Sequence, residues 1–125
     1  MFHTLILVIL IMTGNVTAAV DSETVTWTGW FSDKDCALPR VEKGQLGPNG
    51  TACVKRCLDR GVEAVFISEQ AKRLFTVENY PNVKEDVGYY LELTGTVDAT
   101  RGAIAVTSVK RLSEVTAMCA LPKRK

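Results

Sequence analysis

Tyr89-Tyr90-Leu91-Glu92-Leu93-Thr94-Gly95-Thr96-Val97 alternates along its length, with Leu91, Leu93, Gly95 and Val97 on one parity and Tyr90, Glu92, Thr94 and Thr96 on the other. A period of two is that of a strand with one face buried and one face in water. Asp98 to Gly102 supplies turn chemistry, and Ile104 to Val109 follows as a second apolar strand. The segment therefore predicts a hairpin. Working outward, Ala64 to Ser68 (AVFIS) and Arg73 to Val77 (RLFTV) predict a second hairpin around a short turn. Between the hairpins, Glu78 to Val87 predicts a turn followed by one turn of helix. Further upstream, Val25-Thr26-Trp27-Thr28-Gly29-Trp30-Phe31 places Val25, Trp27 and Phe31 on the core parity and Trp30 on the other. The predicted fold is all-β with one short inserted helix, a small five-stranded barrel, closed or nearly so. Closure matters because it leaves few strand edges to protect.

The inserted helix runs from Ala52 to about Arg60, with Thr51 as its cap and Gly61 at the position after its end. Before it, residues 36–50 are punctuated by Pro39, Gly44, Gly47, Pro48, Asn49 and Gly50 and predict an irregular loop. Ser32-Asp33-Lys34-Asp35 ends the first strand with turn formers. Asn49-Gly50-Thr51 is a glycosylation sequon only in a eukaryotic host; otherwise it is a turn and a cap.

Gly29-Trp30-Phe31-Ser32-Asp33 with Cys36, then Cys53-Val54-Lys55-Arg56-Cys57 running into Gly61, then Gly95-Thr96-Val97, resembles a family of small exported bacterial domains of unknown function. Their pattern is G-W-x-S-D-x-x-C, a C-x-x-x-C segment and a closing V-x-G-x-V hairpin. The resemblance covers roughly Trp27 to Val109. It implies an OB-fold-like five-stranded barrel with the cysteine helix inserted after the first strand. This chain departs from the pattern at Leu93, which replaces the first Val, in the length of the 36–50 loop, and in a fourth cysteine.

Leu5 to Met12 is an unbroken apolar run, followed by Gly14-Asn15 and the small residues Val16-Thr17-Ala18-Ala19. That order is a secretory signal, and the run is far shorter than the ~20 residues of a membrane-crossing helix. Cleavage after Ala18 or Ala19 divides the chain into a signal peptide over 1–19, a barrel domain over 20–112 and a C-terminal tail over 113–125. The expected location is periplasmic or secreted, with no stable membrane span after cleavage. The mature part is one domain in length. With 15 Lys+Arg against 14 Asp+Glu, the net charge of +1 argues against a nucleic-acid partner. Lys123-Arg124-Lys125 is the one basic cluster, a solvated chain end.

Cys36, Cys53, Cys57 and Cys119 all lie downstream of the leader, and the single histidine, His3, lies within it. In an exported small domain, four cysteines predict two disulfides. Cys53 and Cys57 fall at i and i+4 on the predicted helix, so each is expected to reach a distant partner, one taking Cys36 and the other Cys119. The spacing lacks the paired knuckles of a four-cysteine zinc site, so no metal and no cofactor are expected. A redox pair at Cys53 and Cys57 is the rival reading, favoured by Lys55 and Arg56 and weakened by C-x-x-x-C in place of C-x-x-C.

Without a histidine in the mature chain, Ser-His-Asp and Cys-His catalysis are excluded. Asp33 and Asp35 are read as turn residues rather than a carboxylate pair. The expectation is a non-enzymatic, disulfide-stabilised binding or accessory module. Trp30 and Tyr90 are its candidate ligand-binding residues, and a neutral saccharide, a peptide or another protein is its expected partner. A third reading is a component of an envelope assembly that makes contact through the 36–50 loop.

Overall fold

The computed structural model describes residues 22–115. The expected signal peptide, Cys119 and the basic end lie outside them. Five strands form one mixed sheet, β1 (Ser22–Asp33), β2 (Ala64–Ser68), β3 (Arg73–Val77), β4 (Tyr89–Asp98) and β5 (Ala103–Glu114). The sheet closes into a ring in the order β1-β2-β3-β5-β4, with β4 returning to β1. All pairings are antiparallel except β3 with β5. Both predicted hairpins form, and β5 runs past the anticipated domain end at residue 112 to Glu114.

β1 belongs to two neighbours. Its first part pairs with β4, ending at Gly29↔Leu91, and its last part pairs with β2 from Gly29↔Ser68 to Asp33↔Ala64. Gly29 is the handover point. A Cβ there would sit 1.8 Å from the Ile67 carbonyl oxygen, so the close approach of β1 to β2 requires glycine. Gly95 plays a similar part where β4 meets a register shift against β5, since a Cβ there would lie 2.6 Å from the Ala105 carbonyl oxygen.

The inside of the ring is filled by Val25, Phe31, Phe66, Phe75, Val77, Leu91, Leu93, Val97 and Ile104. Trp27 packs against this core with its ring 5.0 Å from that of Phe75. Phe31 and Phe66 meet edge to face at 5.8 Å, a favoured geometry for aromatic rings.

The connection from β1 to β2 carries two helices rather than the single helix the sequence predicts. The first, α1 (Lys34–Glu42), occupies the start of the supposed irregular loop. Pro39 lies inside it, although proline removes a helical hydrogen bond. In so short a helix only one such bond is lost, and tertiary packing compensates. Ala37 is fully buried against Val65 and Ile67 on the outer face of the sheet, with Trp30, Val41, Leu46 and Leu74 around them.

The second helix, α2 (Thr51–Asp59), covers one end of the ring by inserting Val54 and Leu58, spaced i and i+4, into the main core. Its N-cap is Gly50, which supplies the carbonyl for Val54 N–H, and Thr51 is the first helical residue rather than the cap. The helix ends as anticipated at Gly61. Gly61 N–H donates to Leu58 O and Val62 N–H to Cys57 O, with Gly61 at φ +89°, the paired bonds of a Schellman closure. Residues 80–86 form two short 3₁₀ turns, Tyr80–Asn82 and Lys84–Asp86.

Candidate functional site

Two groupings of chemistry-bearing side chains emerge, both built around the end of β1. The first is aromatic. Beyond the last β1–β4 pair, the next residue on each strand is Trp30 and Tyr90. Their rings meet at 5.2 Å with a 37° tilt, and both are half-buried. The inner side of Trp30 packs on the Ala37–Val65–Ile67 cluster beneath α1, so the indole is held rather than free to swing.

The structure thus brings together the two residues the sequence proposed separately. They open onto a cleft of about 670 Å³, lined also by Pro48, Glu69, Ser113, Glu114 and Val115. Pro48 comes from the α1–α2 connection and Glu69 from the β2–β3 turn. Glu69 is oriented by Thr28, whose hydroxyl donates to Oε1 at 2.9 Å. The lining carries two carboxylates, Glu69 and Glu114, and no Lys or Arg.

The second grouping is the cysteine cluster. Asp33, at the end of β1, is fully buried, and its Oδ2 accepts from Cys36 N–H at 3.0 Å as the N-cap of α1. Lys34 N–H donates to Glu63 O at 3.0 Å, and Lys34 Nζ bridges to Glu63 Oε2 at 3.1 Å. The chain leaving α2 is thereby tied to the first turn of α1. That tie brings Cys57, one turn from the end of α2, against Cys36.

The two cysteines are 4.4 Å apart. Their sulfurs and an Asp33 carboxylate oxygen all lie within 4.8 Å of one another. No disulfide joins the described cysteines. Burial first, then a hydrogen bond from the thiol to the Asp33 carboxylate and that group's charge, push the Cys36 thiol up to about 12. Asp33 Oδ1 is buried and has no hydrogen-bond partner among the described residues.

Asp33 is the residue that sequence reasoning missed. Read as a turn former after a strand, it is instead a buried cap facing two sulfurs. The signal available was the sequence Asp33-x-x-Cys36, an N-cap with a cysteine one turn into a helix, and it was hidden by the assignment of that helix as loop. Cys53 and Cys57, the pair of the redox reading, lie one turn apart on α2. Cys57 faces Cys36, and Cys53 sits a turn earlier on α2, half-buried. Among the described residues, no helix is long and apolar enough to cross a membrane.

No family profile, curated protein or solved structure matches this chain.

Proposed function

We propose that the protein is an exported, non-enzymatic binding module of OB-fold type that holds a neutral saccharide on the Trp30–Tyr90 cleft. The observation that carries this reading is the ring pair itself. Two aromatic faces, one locked from behind by a helix, line an open cleft whose remaining polar groups are carboxylates and a serine hydroxyl. Sugar rings present apolar C–H faces for aromatic stacking and hydroxyls that donate to carboxylates. OB-type barrels bind saccharides as well as oligonucleotides, using the loop between their first two strands among other contacts. The strand order β1-β2-β3-β5-β4 with a parallel β3–β5 pair supports that fold reading, and Pro48 comes from the equivalent connection.

Within the module, the cysteines act as staples in the oxidised protein. The proximity of Cys36 and Cys57 favours their pairing over the other choices and leaves Cys53 for Cys119. Cys36–Cys57 would tie the two helices together, contributing about 2–4 kcal/mol.

Calorimetric titration with neutral hexasaccharides (cello-, chito- and malto-series) tests the binding reading. Saturable binding is expected for at least one series. Tyr90→Ala should weaken it by about 2 kcal/mol, roughly 30-fold, the scale of a buried aromatic anchor. Absence of binding across all three series, or equal binding by Tyr90→Ala, would reject the saccharide reading.

A further inference from the structure

We propose that, with its cysteines reduced, the protein binds one divalent cation of the zinc class through Asp33, Cys36 and Cys57. The donor set comes from three elements tied to one another by the Asp33 cap and the Lys34–Glu63 contacts: the end of β1, the first turn of α1 and the last turns of α2. Their donor atoms converge to within 4.8 Å. Zinc–sulfur bonds of about 2.3 Å and zinc–oxygen bonds of about 2.0–2.2 Å need donors roughly 3.5–3.8 Å apart in a tetrahedron. The donors therefore have to draw together by up to about an ångström on binding.

The observation that separates this site from a simple disulfide pair is the carboxylate. Asp33 is 0% exposed, its Oδ2 is held by Cys36 N–H, and its Oδ1 is buried without a partner among the described residues. A buried, unpaired carboxylate oxygen is costly. A disulfide between Cys36 and Cys57 offers no proton donor and leaves that cost in place. A cation removes it. The hydrogen bond from Cys36 N–H to Oδ2 then orients the carboxylate, as outer-shell contacts do in metal sites.

Two sulfurs and one oxygen suit zinc better than magnesium or calcium, which take oxygen donors. Binding is a proton exchange: the ion displaces one proton from each thiol to solvent, and no oxidant or reductant is consumed. Cys36 and Cys57 are half-buried, so the ion enters from the surface. Three protein ligands leave a fourth position for water. The proposal is independent of the saccharide cleft and applies to the reduced chain alone, since a Cys36–Cys57 disulfide uses both sulfurs.

The test uses the full chain, reduced and stripped of metal, titrated with zinc against a chromogenic chelator and, in parallel, with cobalt. One equivalent of zinc should bind, and cobalt should give a sulfur-to-metal charge-transfer band with tetrahedral visible bands. Asp33→Asn keeps the helix cap and removes the charge. It should weaken zinc by at least the 10–100-fold typical of losing even an outer-shell partner (roughly). Cys57→Ser should abolish the cobalt charge-transfer band of a two-sulfur site, while Cys53→Ser should leave stoichiometry and spectrum unchanged. Circular dichroism of each metal-free variant separates loss of binding from loss of fold. The proposal is overturned if the folded, reduced protein takes up no zinc at micromolar concentration, if Asp33→Asn binds as tightly as the parent, or if Cys53→Ser removes the site.

Discussion

Replacing Gly29 with alanine tests the central geometric feature of the ring, the handover of β1 from β4 to β2. The added Cβ would meet the Ile67 carbonyl oxygen at 1.8 Å, whereas real contacts of this kind lie well above 3 Å. The obstacle is backbone, not a flexible side chain, so relief requires β1 and β2 to separate by more than an ångström. That separation strains the pairs Gly29↔Ser68 and Trp30↔Ile67, together with the Glu69 N–H to Thr28 O bond of 3.0 Å. Overpacking alone costs about 1–3 kcal/mol. Losing one or two ladder hydrogen bonds adds about 1 kcal/mol each. The expected total is about 3–5 kcal/mol, a large share of the roughly 5–15 kcal/mol by which a domain is stable. Gly44→Ala is the control: it also strains a positive φ, +76°, but meets nothing within 4 Å and should cost about 1–2 kcal/mol. Urea unfolding followed by tryptophan emission, with both variants in the same redox state, measures the difference. A Gly29→Ala loss no larger than that of Gly44→Ala would refute the reasoning, because it would mean β1 and β2 are not in the described contact.

Three further outcomes follow from particular contacts. Phe66→Ala removes a fully buried ring from the middle of the core and should cost about 3–5 kcal/mol in the same assay. Asn79→Ala cuts both bonds that its amide makes to the Val106 backbone, at 2.8 and 2.9 Å; about 1–3 kcal/mol should be lost, with Asn79→Asp recovering only the accepting half. Hydrogen bonds from Thr76 and then Lys34 hold the Glu63 carboxyl below its ordinary range. A carboxyl lowered in the folded state adds stability above its unfolded pKa of about 4.3, and that increment disappears as pH falls through the lower folded value. Melting temperatures between pH 6 and pH 3 should therefore fall less steeply for Glu63→Gln than for the parent, the difference at neutral pH being small for so exposed a pair, about 0.2–1 kcal/mol.

The hairpins were legible because their patterns are local. Leu91, Leu93, Gly95 and Val97 alternate inward, and AVFIS and RLFTV sit a turn apart, so period and turn chemistry sufficed. α1 was not legible, because Pro39, Gly44 and Gly47 carry loop signals and only burial of Ala37 against β2 outweighs them. The capping role of Asp33 was hidden for the same reason. The meeting of Trp30 with Tyr90 depends on β1–β4 register, Gly29 opposite Leu91, which two separate strands do not encode in their own periodicity. The approach of Cys36 to Cys57 was partly legible. The i, i+4 argument sent one helix cysteine toward Cys36, but only the Lys34–Glu63 tie selects Cys57. Cys119 and the leader lie outside the described residues.

In the proposed binding mode Trp30 faces a ligand while Trp27 faces the core. A proton–nitrogen correlation spectrum resolves the two indole N–H signals of this two-tryptophan chain, and one titration with the best-binding neutral hexasaccharide reads both. A saturable shift of the Trp30 indole and of the Tyr90 and Glu69 amides is expected, with the Trp27 indole unmoved. A shift of Trp27 without Trp30, or shifts confined to residues away from the cleft, would contradict it.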